Sequence, residues 1–266
     1  MTPPRVLILR APGINRDHDA AFACELAGGA PERIHVNRLA AGAVRLADYA
    51  MLVIPGGFSY GDHLGAGKLL AVDLVHRLGD QLQRFIADGR PVIGICNGFQ
   101  VLVKAGLLPG VALAAPGMAA SALVTLTEND SARFECRWVQ LGPDPASRCR
   151  FTQGITHPIE VPVAHGEGRL VTRDAAALDL LRAQGLVALR YLAADGAPVA
   201  YPANPNGSLD AIAGICNPQG NVLGLMPHPE NAVLPQQHPR WTREPRRATG
   251  DGLLIFRNAV QYAASL

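Results

Sequence analysis

A chain of 266 residues with 48% hydrophobic residues is long enough for one large α/β domain with a substantial core. The formal net charge of +2 is too small to suggest a nucleic acid or an acidic membrane as a partner, and the five scattered cysteines form no Cys-x-x-Cys pair that would suggest a zinc site. No signal peptide or membrane-spanning apolar run is present, so the sequence predicts one cytoplasmic domain over residues 1–266 without a metal.

The N-terminal part of the chain alternates apolar runs with helical patterns. Val6–Leu9 and Met51–Ile54 are predicted strands, and Ile34–Leu39 alternates like another strand. Asp17 or Asp19 is placed to cap the helix after the first strand. This spacing predicts βαβ units and a parallel sheet, in which ligands bind beyond the carboxyl ends of the strands.

A glycine-rich loop with the sequence PGGFSYGD, residues 55–62, follows the third predicted strand. The N–H groups of such a loop can point at a negative or developing-negative oxygen. The continuation as far as Lys68 resembles a phosphate-binding loop but fails on spacing, because Asp62 stands where the first glycine is required and Leu69 follows the lysine. We therefore exclude nucleotide binding at this loop.

A cysteine lies on the turn between a predicted strand, Val92–Ile95, and a helical pattern that begins at Asn97. An amphipathic helix over residues 69–87, broken or bent at Gly79, leads to it. Cys96 lies inside a Gly-x-Cys-x-Gly bracket, the cysteine version of a nucleophile elbow. The glycines permit the tight turn and remove Cβ atoms that would crowd a substrate, while the helix N-terminus favours a thiolate. A buried structural cysteine is the competing interpretation.

The middle of the chain is richer in short β-like runs, at residues 121–126, 134–139 and 159–163. They predict antiparallel strands appended to the parallel sheet. His165 and Glu167 follow the last run and could face a site or coordinate a metal, but two ligands are too few to argue for a metal. A tight turn with polar rim residues explains them equally well.

The C-terminal part carries a predicted hairpin of two strands, Ile212–Cys216 and Val222–Leu225. The second strand leads to His228, whose backbone is restricted by a proline on each side. Glu230 can accept a hydrogen bond from the His228 ring, which is the role of the acid in a Cys-His-acid triad. A solvated loop is the alternative, but the cysteine elbow and the glycine loop together favour a triad. Residues 234–249, rich in Pro and Arg, pack on a partner or form an ordinary surface excursion.

Three of these motifs resemble the class I (triad) glutamine amidotransferases: residues 55–62, GICNGFQ at 94–100 and MPHPE at 226–230. The sequence is more narrowly similar to the family of glutaminase subunits of phosphoribosylformylglycinamidine synthase. That similarity rests on NGFQ after the cysteine, on the GGFSYGD loop, and on three further motifs: Pro12-Gly13-x-Asn15, His165–Gly168 and Asn204–Ser208. The resemblance implies a flavodoxin-like α/β fold, a mostly parallel sheet flanked by helices with appended antiparallel strands.

The resemblance also implies roles for residues of the three motifs. Cys96 would attack the side-chain amide of L-glutamine, His228 would carry protons, and Glu230 would orient His228. The backbone N–H groups of Gly57 and Asn97 would form the oxyanion hole. The contacts with bound glutamine would come from four residues: Gly56, Gly57, Phe58 and Gln100.

The same resemblance implies that this chain carries no cofactor. ATP and magnesium would belong to a separate synthetase that converts formylglycinamide ribonucleotide to its amidine in purine biosynthesis. The partners would be the large subunit PurL and the small subunit PurS.

Three alternatives remain open from the sequence. A DJ-1/PfpI-like hydrolase or chaperone also has a cysteine elbow, which would pair with an acid near the first strand, such as Asp17 or Asp19. A scaffold subunit with a dead site would lack a triad residue, and none is missing. A class I amidotransferase that serves another acceptor would share all of the catalytic motifs.

Overall fold

The computed structural model describes residues 2–111, 123–193, 199–244 and 247–266. The described residues contain eleven strands: β1 Arg5–Arg10, β2 Ala30–His35, β3 Met51–Ile54, β4 Val92–Ile95, β5 Val124–Glu128, β6 Glu135–Pro143, β7 Ile159–His165, β8 Glu167–Thr172, β9 Val187–Leu192, β10 Ile212–Cys216 and β11 Val222–Leu225. The helices are α1 Asp17–Leu26, α2 Val36–Ala40, α3 Lys68–Ala87, α4 Asn97–Lys104, α5 Ala175–Ala183 and α6 Leu253–Ala264. No helix in these ranges is both long enough and apolar enough to cross a bilayer.

Nine of the strands form one sheet in the order β2-β1-β3-β4-β11-β10-β9-β6-β7. The strands from β2 to β11 in this order are mutually parallel, and the four remaining pairings are antiparallel. Strands β3, β4 and β11 are buried on both faces, which explains their continuous apolar sequences. The predicted parallel sheet and its appended antiparallel strands are therefore confirmed.

The register of the central strands brings three loops to one edge of the sheet. Ile54 pairs with Gly94, and Ile95 pairs with Leu225. The residues that follow β3, β4 and β11 therefore emerge side by side. This is the edge at which open α/β sheets bind their ligands.

The antiparallel half of the sheet curls back toward this same edge. Strand β7 is the last strand in the sheet order, yet its Pro162 carbonyl accepts a hydrogen bond of 2.8 Å from the N–H of His228, which follows β11. The Ala164 carbonyl of β7 lies 3.7 Å from the Cys96 sulfur, which follows β4. The outer edge of β7 therefore forms a wall over the ends of the central strands.

The predicted strand at Ile34–Leu39 is wrong in its extent. Strand β2 ends at His35, and helix α2 begins at Val36. Val36 and Leu39 are both buried, so their spacing serves one face of a helical turn. The His35 ring nitrogen accepts a hydrogen bond of 3.2 Å from the Asn37 N–H and starts that turn.

Two predictions for the N-terminal helices also need correction. Helix α3 runs through Gly79 without a break, because Gly79 has free space around it and apolar residues at every fourth position anchor the helix. In helix α1 the cap position is Arg16, and Asp17 makes no capping bond. The Asp17 carboxylate instead pairs with Arg10 at 3.0 Å and Arg33 at 3.3 Å, across to the sheet.

The appended strands are confirmed at β6 and β7, but the first predicted run does not join the main sheet. Strand β5 pairs with β8 in a separate two-stranded sheet. Residues 121 and 122 of that run lie outside the described residues. The small sheet packs against α4, close to the ends of the central strands.

The Pro/Arg-rich segment, in its described part, packs on its own chain. Glu160 of β7 accepts hydrogen bonds of 2.9 Å from Arg240 and from Arg247, and His238 also bonds to it. Burial raises the pKa of Glu160, but these bonds together with one from Gln140 outweigh it and hold the pKa at about 2. The segment therefore covers the edge strand of the sheet.

Candidate active site

Cys96 occupies a strained backbone position between β4 and α4. Its φ of 51° and ψ of −108° are rare for a residue with a side chain. The conformation is held because the Cys96 N–H donates to the Leu225 carbonyl at 2.8 Å, while the Cys96 carbonyl accepts from Phe99 and Gln100. The side chain is thereby fixed at the N-terminus of α4, as the predicted elbow requires.

The two glycines of the bracket serve the packing of the protein itself. A Cβ on Gly98 would lie 1.9 Å from the Ile54 carbonyl oxygen, and one on Gly94 would lie 2.5 Å from the Gly98 oxygen. The helix can approach the strands this closely only without those carbon atoms. The glycines are therefore needed for the close contact between the helix and the strands. The prediction that they clear room for a substrate gave the wrong reason for them.

His228 and Glu230 form a buried pair beside the cysteine. Nδ1 of His228 lies 2.7 Å from Oε1 of Glu230, and only 3% of His228 and 1% of Glu230 are exposed. Nε2 of His228 is buried and has no hydrogen-bond partner among the described residues. Glu230 therefore holds Nδ1 of His228, and Nε2 is available to transfer protons.

Gly56 shows how closely the histidine and the cysteine converge. A Cβ on Gly56 would lie 2.9 Å from Cε1 of His228 and 3.4 Å from Cβ of Cys96. Both side chains therefore contact the same point on the loop after β3. The three residues that the sequence nominated as a triad are brought together here.

The electrostatics of the site favour the charged imidazolium form of His228. Burial by itself would lower the pKa of His228, but the negative charges of Glu230 and Cys96 raise it to about 10. A second histidine behaves in the opposite way. Burial lowers the pKa of His165 to about 4, and the charge of His228 acts in the same direction. At neutral pH the site therefore holds one charged and one neutral imidazole.

The backbone N–H groups of the two nominated oxyanion donors, Gly57 and Asn97, are not used in the local backbone pairing. The bonds Asn15 N–H to Gly56 O (3.4 Å) and Phe58 N–H to Gly13 O (2.9 Å) flank Gly57 and leave its own N–H outside this pairing. Gly57 has φ of +134°, and a Cβ there would lie 2.7 Å from the Gly13 oxygen, so only glycine fits. The Asn97 N–H lies in the first turn of α4, where the helix provides no acceptor.

The side chains of Asn97 and Gln100 are engaged within the protein. Asn97 accepts from the Ser59 N–H at 3.1 Å and donates at 3.0 Å to both Asp62 and Gln100. Gln100 in turn donates to the Glu167 carbonyl at 2.6 Å. Both ends of the Gln100 amide are therefore occupied, and Gln100 ties α4 to the first residue of β8. This geometry argues against the implied contact between Gln100 and bound glutamine.

The other implied glutamine contacts lie on the loop after β3. Gly56 borders the cysteine directly and Gly57 follows it in the loop, whereas the Phe58 side chain is 49% exposed. Phe58 therefore stands at the outer rim of the site. Cys96 itself is 6% exposed, so this conformation of the site is closed.

Several residues at the site were not nominated from the sequence. Pro162 and Ala164 contribute only backbone carbonyls, to His228 and Cys96 respectively, and carbonyl groups leave no signature in a sequence. Asn129 holds the His165 ring from 36 residues away. In the sequence, the one signal that His165 lies at the site is its position at the end of a predicted strand.

The described residues offer one cluster with the ligand types of a metal site, formed by Glu160, His238 and Glu244. Arg240 and Arg247 already bond to both of its carboxylates. These cations neutralise the cluster without a metal, and it lies away from the cysteine.

The acids that a DJ-1/PfpI-like site would need are engaged elsewhere. Asp17 is paired with Arg10 and Arg33. Asp19 bonds to Arg16 at 3.3 Å and accepts from the Asn231 side chain at 3.1 Å. Neither acid is a hydrogen-bond partner of the cysteine.

Known proteins resemble this chain over nearly its whole length. A family model of the CobB/CobQ-like glutamine amidotransferase domain matches residues 3–263. The phosphoribosylformylglycinamidine synthase subunit PurQ of Dehalococcoides mccartyi is 47% identical over 264 residues, which cover 99% of each chain. The chain belongs to the PurQ family of glutamine amidotransferases. The PurQ subunit of Treponema denticola is 49% identical, over 97% of this chain and 98% of its own.

The PurQ family is also represented among solved structures. The structure of PurLQS from Thermotoga maritima contains a chain that matches with a TM-score of 0.71 and 32% identity, over 98% of this chain and 99% of that one. The family resemblance and the α/β fold expected from the sequence are thereby confirmed. Membership of the PurQ family also rules against the DJ-1/PfpI-like interpretation.

Proposed function

We propose that this chain hydrolyses L-glutamine to glutamate and ammonia and delivers the ammonia to a separate ATP-dependent synthetase. That synthetase converts formylglycinamide ribonucleotide to formylglycinamidine ribonucleotide in purine biosynthesis. The observation that carries the proposal is the convergence of Cys96 and His228 on Gly56, with Glu230 bound to the far side of the His228 ring. Sequence identity of 47–49% to two PurQ subunits supports the choice of pathway.

In the first half of the reaction the Cys96 thiolate attacks the carboxamide carbon of glutamine. The oxygen that becomes negative is received by the N–H groups of Gly57 and Asn97, and losing one such donor typically costs about 2.7–4 kcal/mol. His228 enters as the imidazolium, consistent with its raised pKa, and gives its proton to the departing nitrogen. Ammonia leaves, and a thioester with Cys96 remains.

In the second half of the reaction a water molecule replaces ammonia. His228, now neutral, takes a proton from that water as it attacks the thioester carbon, and the same two N–H groups hold the oxyanion. Glutamate leaves and the thiolate returns. Glu230 keeps His228 in one tautomer throughout, because its carboxylate accepts from Nδ1.

Glutamine binding requires the closed site to open at its rim. We assign the contacts to the loop after β3: the backbone of Gly56 and Gly57 beside the reacting carbon, and Phe58 at the entrance. Gln100 acts behind this surface, since it fixes the start of β8 through the Glu167 carbonyl.

The proposal places the synthetase chemistry on other polypeptides. Relatives of the PurQ family include a chain in a structure of PurLQS, and we propose PurL and PurS subunits as the partners of this chain. ATP and magnesium would be bound by the large partner, and this chain would work in the cytoplasm as one catalytic unit without a cofactor of its own.

A glutamine analogue that carries a diazo-ketone in place of the carboxamide tests the glutaminase. Intact mass and peptide mapping should give one adduct, at Cys96, which the Cys96→Ser variant lacks. The Cys136→Ser variant is a matched control, because Cys136 is the exposed cysteine that an unselective reagent would reach first. Labelling that spreads to Cys136, or no labelling even with the partner subunits present, would refute the proposal.

Product formation by the assembled complex tests the pathway. Complexes containing Cys96→Ser should lose amidine synthesis from glutamine but keep it when ammonium salts supply the nitrogen. If wild-type complexes form no formylglycinamidine ribonucleotide from glutamine, the chain serves another acceptor.

A further inference from the structure

The side chain of His165 has its hydrogen-bonding state fixed by its neighbour Asn129. Nδ2 of Asn129 lies 2.8 Å from the carbonyl oxygens of both Arg133 and His165, so this atom must be the amide nitrogen. Oδ1 of Asn129 is then the acceptor, and it lies 3.1 Å from the Gly168 N–H and 3.1 Å from Nδ1 of His165. Nδ1 of His165 therefore carries the proton.

The other nitrogen of the His165 ring is consequently a bare acceptor. Nε2 is buried, 3% of the residue is exposed, and no described residue donates to this atom. The pKa of about 4 keeps the ring neutral above that pH, so Nε2 offers a lone pair and no proton. A buried acceptor without a partner is unfavourable, and a ligand with a suitable donor would relieve that cost.

His165 belongs to the wall of the catalytic centre. The carbonyl of the preceding residue, Ala164, lies 3.7 Å from the Cys96 sulfur, and the charge of His228 acts on the ring. On its other side the ring rests on Gly168, where a Cβ would lie 2.6 Å from Nδ1. The ring is thus held in place by Asn129 and Gly168, and Nε2 lies on the side of the ring away from Asn129.

We propose that Nε2 of His165 accepts a hydrogen bond from the carboxamide NH₂ of bound glutamine and thereby selects the amide substrate over the carboxylate product. The proposal rests on the glutaminase function given above. A carboxamide has two N–H donors, whereas the glutamate carboxylate has none and would set a negative oxygen against the lone pair. The contact also orients the leaving nitrogen, so that its own lone pair is free to take the proton of His228.

Two substitutions at His165 separate this role from a structural one. An asparagine can keep the donor to Asn129 that Nδ1 provides, but it does not reach the Nε2 position. A glutamine can place its amide oxygen near the Nε2 position, but it loses the bond to Asn129. His165→Asn therefore removes the acceptor, and His165→Gln removes the support.

The experiment compares two substrates in the full chain assembled with its synthetase partners. For glutamine, kcat/KM of His165→Asn should fall by about 10- to 100-fold, and inhibition by glutamate should strengthen. For γ-glutamyl methyl ester, whose leaving group has no N–H, kcat/KM should stay within about threefold, since no hydrogen bond is lost. His165→Gln should recover most of the activity toward glutamine.

Labelling with the diazo-ketone analogue keeps the two proposals separate. The analogue has no carboxamide N–H, so wild type and His165→Asn should be labelled at Cys96 at similar rates. Failure to label the wild type refutes the glutaminase proposal itself. Normal labelling, with glutamine and ester activity falling in parallel in His165→Asn, shows a structural role and overturns the inference about Nε2.

Discussion

Gly56 offers the sharpest test of the catalytic geometry, because one methyl group placed there should misalign the histidine. In Gly56→Ala the new Cβ would lie 2.9 Å from Cε1 of His228, while carbon atoms in contact normally stay about 3.5–4.0 Å apart. The ring must therefore retreat by about 0.6–1 Å, the difference between these separations. It is held by Glu230 at 2.7 Å and, through its own backbone N–H, by the Pro162 carbonyl at 2.8 Å, so retreat stretches one of these bonds.

A displacement of about 1 Å at a catalytic group can cost about 100-fold in rate, and overpacking of this kind costs about 1–3 kcal/mol in stability. We expect kcat for glutaminase activity in the assembled complex to fall by about that factor, while circular dichroism shows a folded chain. Gly79→Ala is the matched control, since a Cβ there meets nothing within 4 Å and helix propensity improves by up to about 1 kcal/mol. Wild-type kcat in Gly56→Ala would refute the convergence described above.

Three further changes test the electrostatics and the supporting contacts. Glu230→Gln removes the carboxylate charge that raises the pKa of His228, so the alkaline limb of the kcat/KM profile should move to lower pH. Gln100→Met leaves the Glu167 carbonyl without its donor and should lower the free energy of unfolding by about 1–3 kcal/mol, with less than a threefold change in KM for glutamine. Glu160→Gln should destabilise the chain at pH 7, and the difference from wild type should shrink as the pH falls from 4.5 toward 2.

The expected results for Glu230→Gln and Gln100→Met would each be contradicted by a specific outcome. An unmoved alkaline limb in Glu230→Gln would mean that the carboxylate does not govern the titration of His228. A large rise in KM without loss of stability in Gln100→Met would restore its implied contact with glutamine.

The pH dependence expected for Glu160→Gln follows from the pKa of Glu160, which is lower in the folded chain than in the unfolded one. The stabilisation it provides is fully present above pH 4.5 and is lost as the pH falls through about 2. Urea unfolding monitored at several pH values measures it. Asp48→Asn, which breaks an exposed pair with Arg45, is the control and should change stability by about 0–1 kcal/mol. Equal losses in the two variants at pH 7 would contradict the role given to Glu160.

The central strands and the triad could be predicted because their signals are local. Strand β4 is an apolar run of four residues, the elbow follows it at once, and His228 and Glu230 are two residues apart in sequence. The parallel register then brings Cys96 and His228 to one edge without further information, since Ile95 pairs with Leu225.

The remaining features depend on contacts between distant parts of the chain. The curl of β7 over the site and the bond from Asn129 to His165 join residues that no sequence pattern links. Gln100 looked free to bind glutamine because nothing near it in sequence indicates that the Glu167 carbonyl takes its donor. At Ile34–Leu39 both a helical turn and a strand fit the alternation of apolar residues. The structure has a helical turn from Val36, which buries Val36 and Leu39 on one face.

The outer edge of β7 has a consequence for how other chains can bind here. An unpaired strand edge normally invites a strand from another molecule, which can lead to aggregation or to partner binding by strand addition. Here Glu160 N–H donates to Asp251 at 2.9 Å, the Pro162 carbonyl serves His228, and the Ala164 carbonyl faces Cys96. Catalytic and covering residues therefore engage three of the backbone groups that a visiting strand would need. A partner subunit that docks over this wall must therefore recognise side chains and loops.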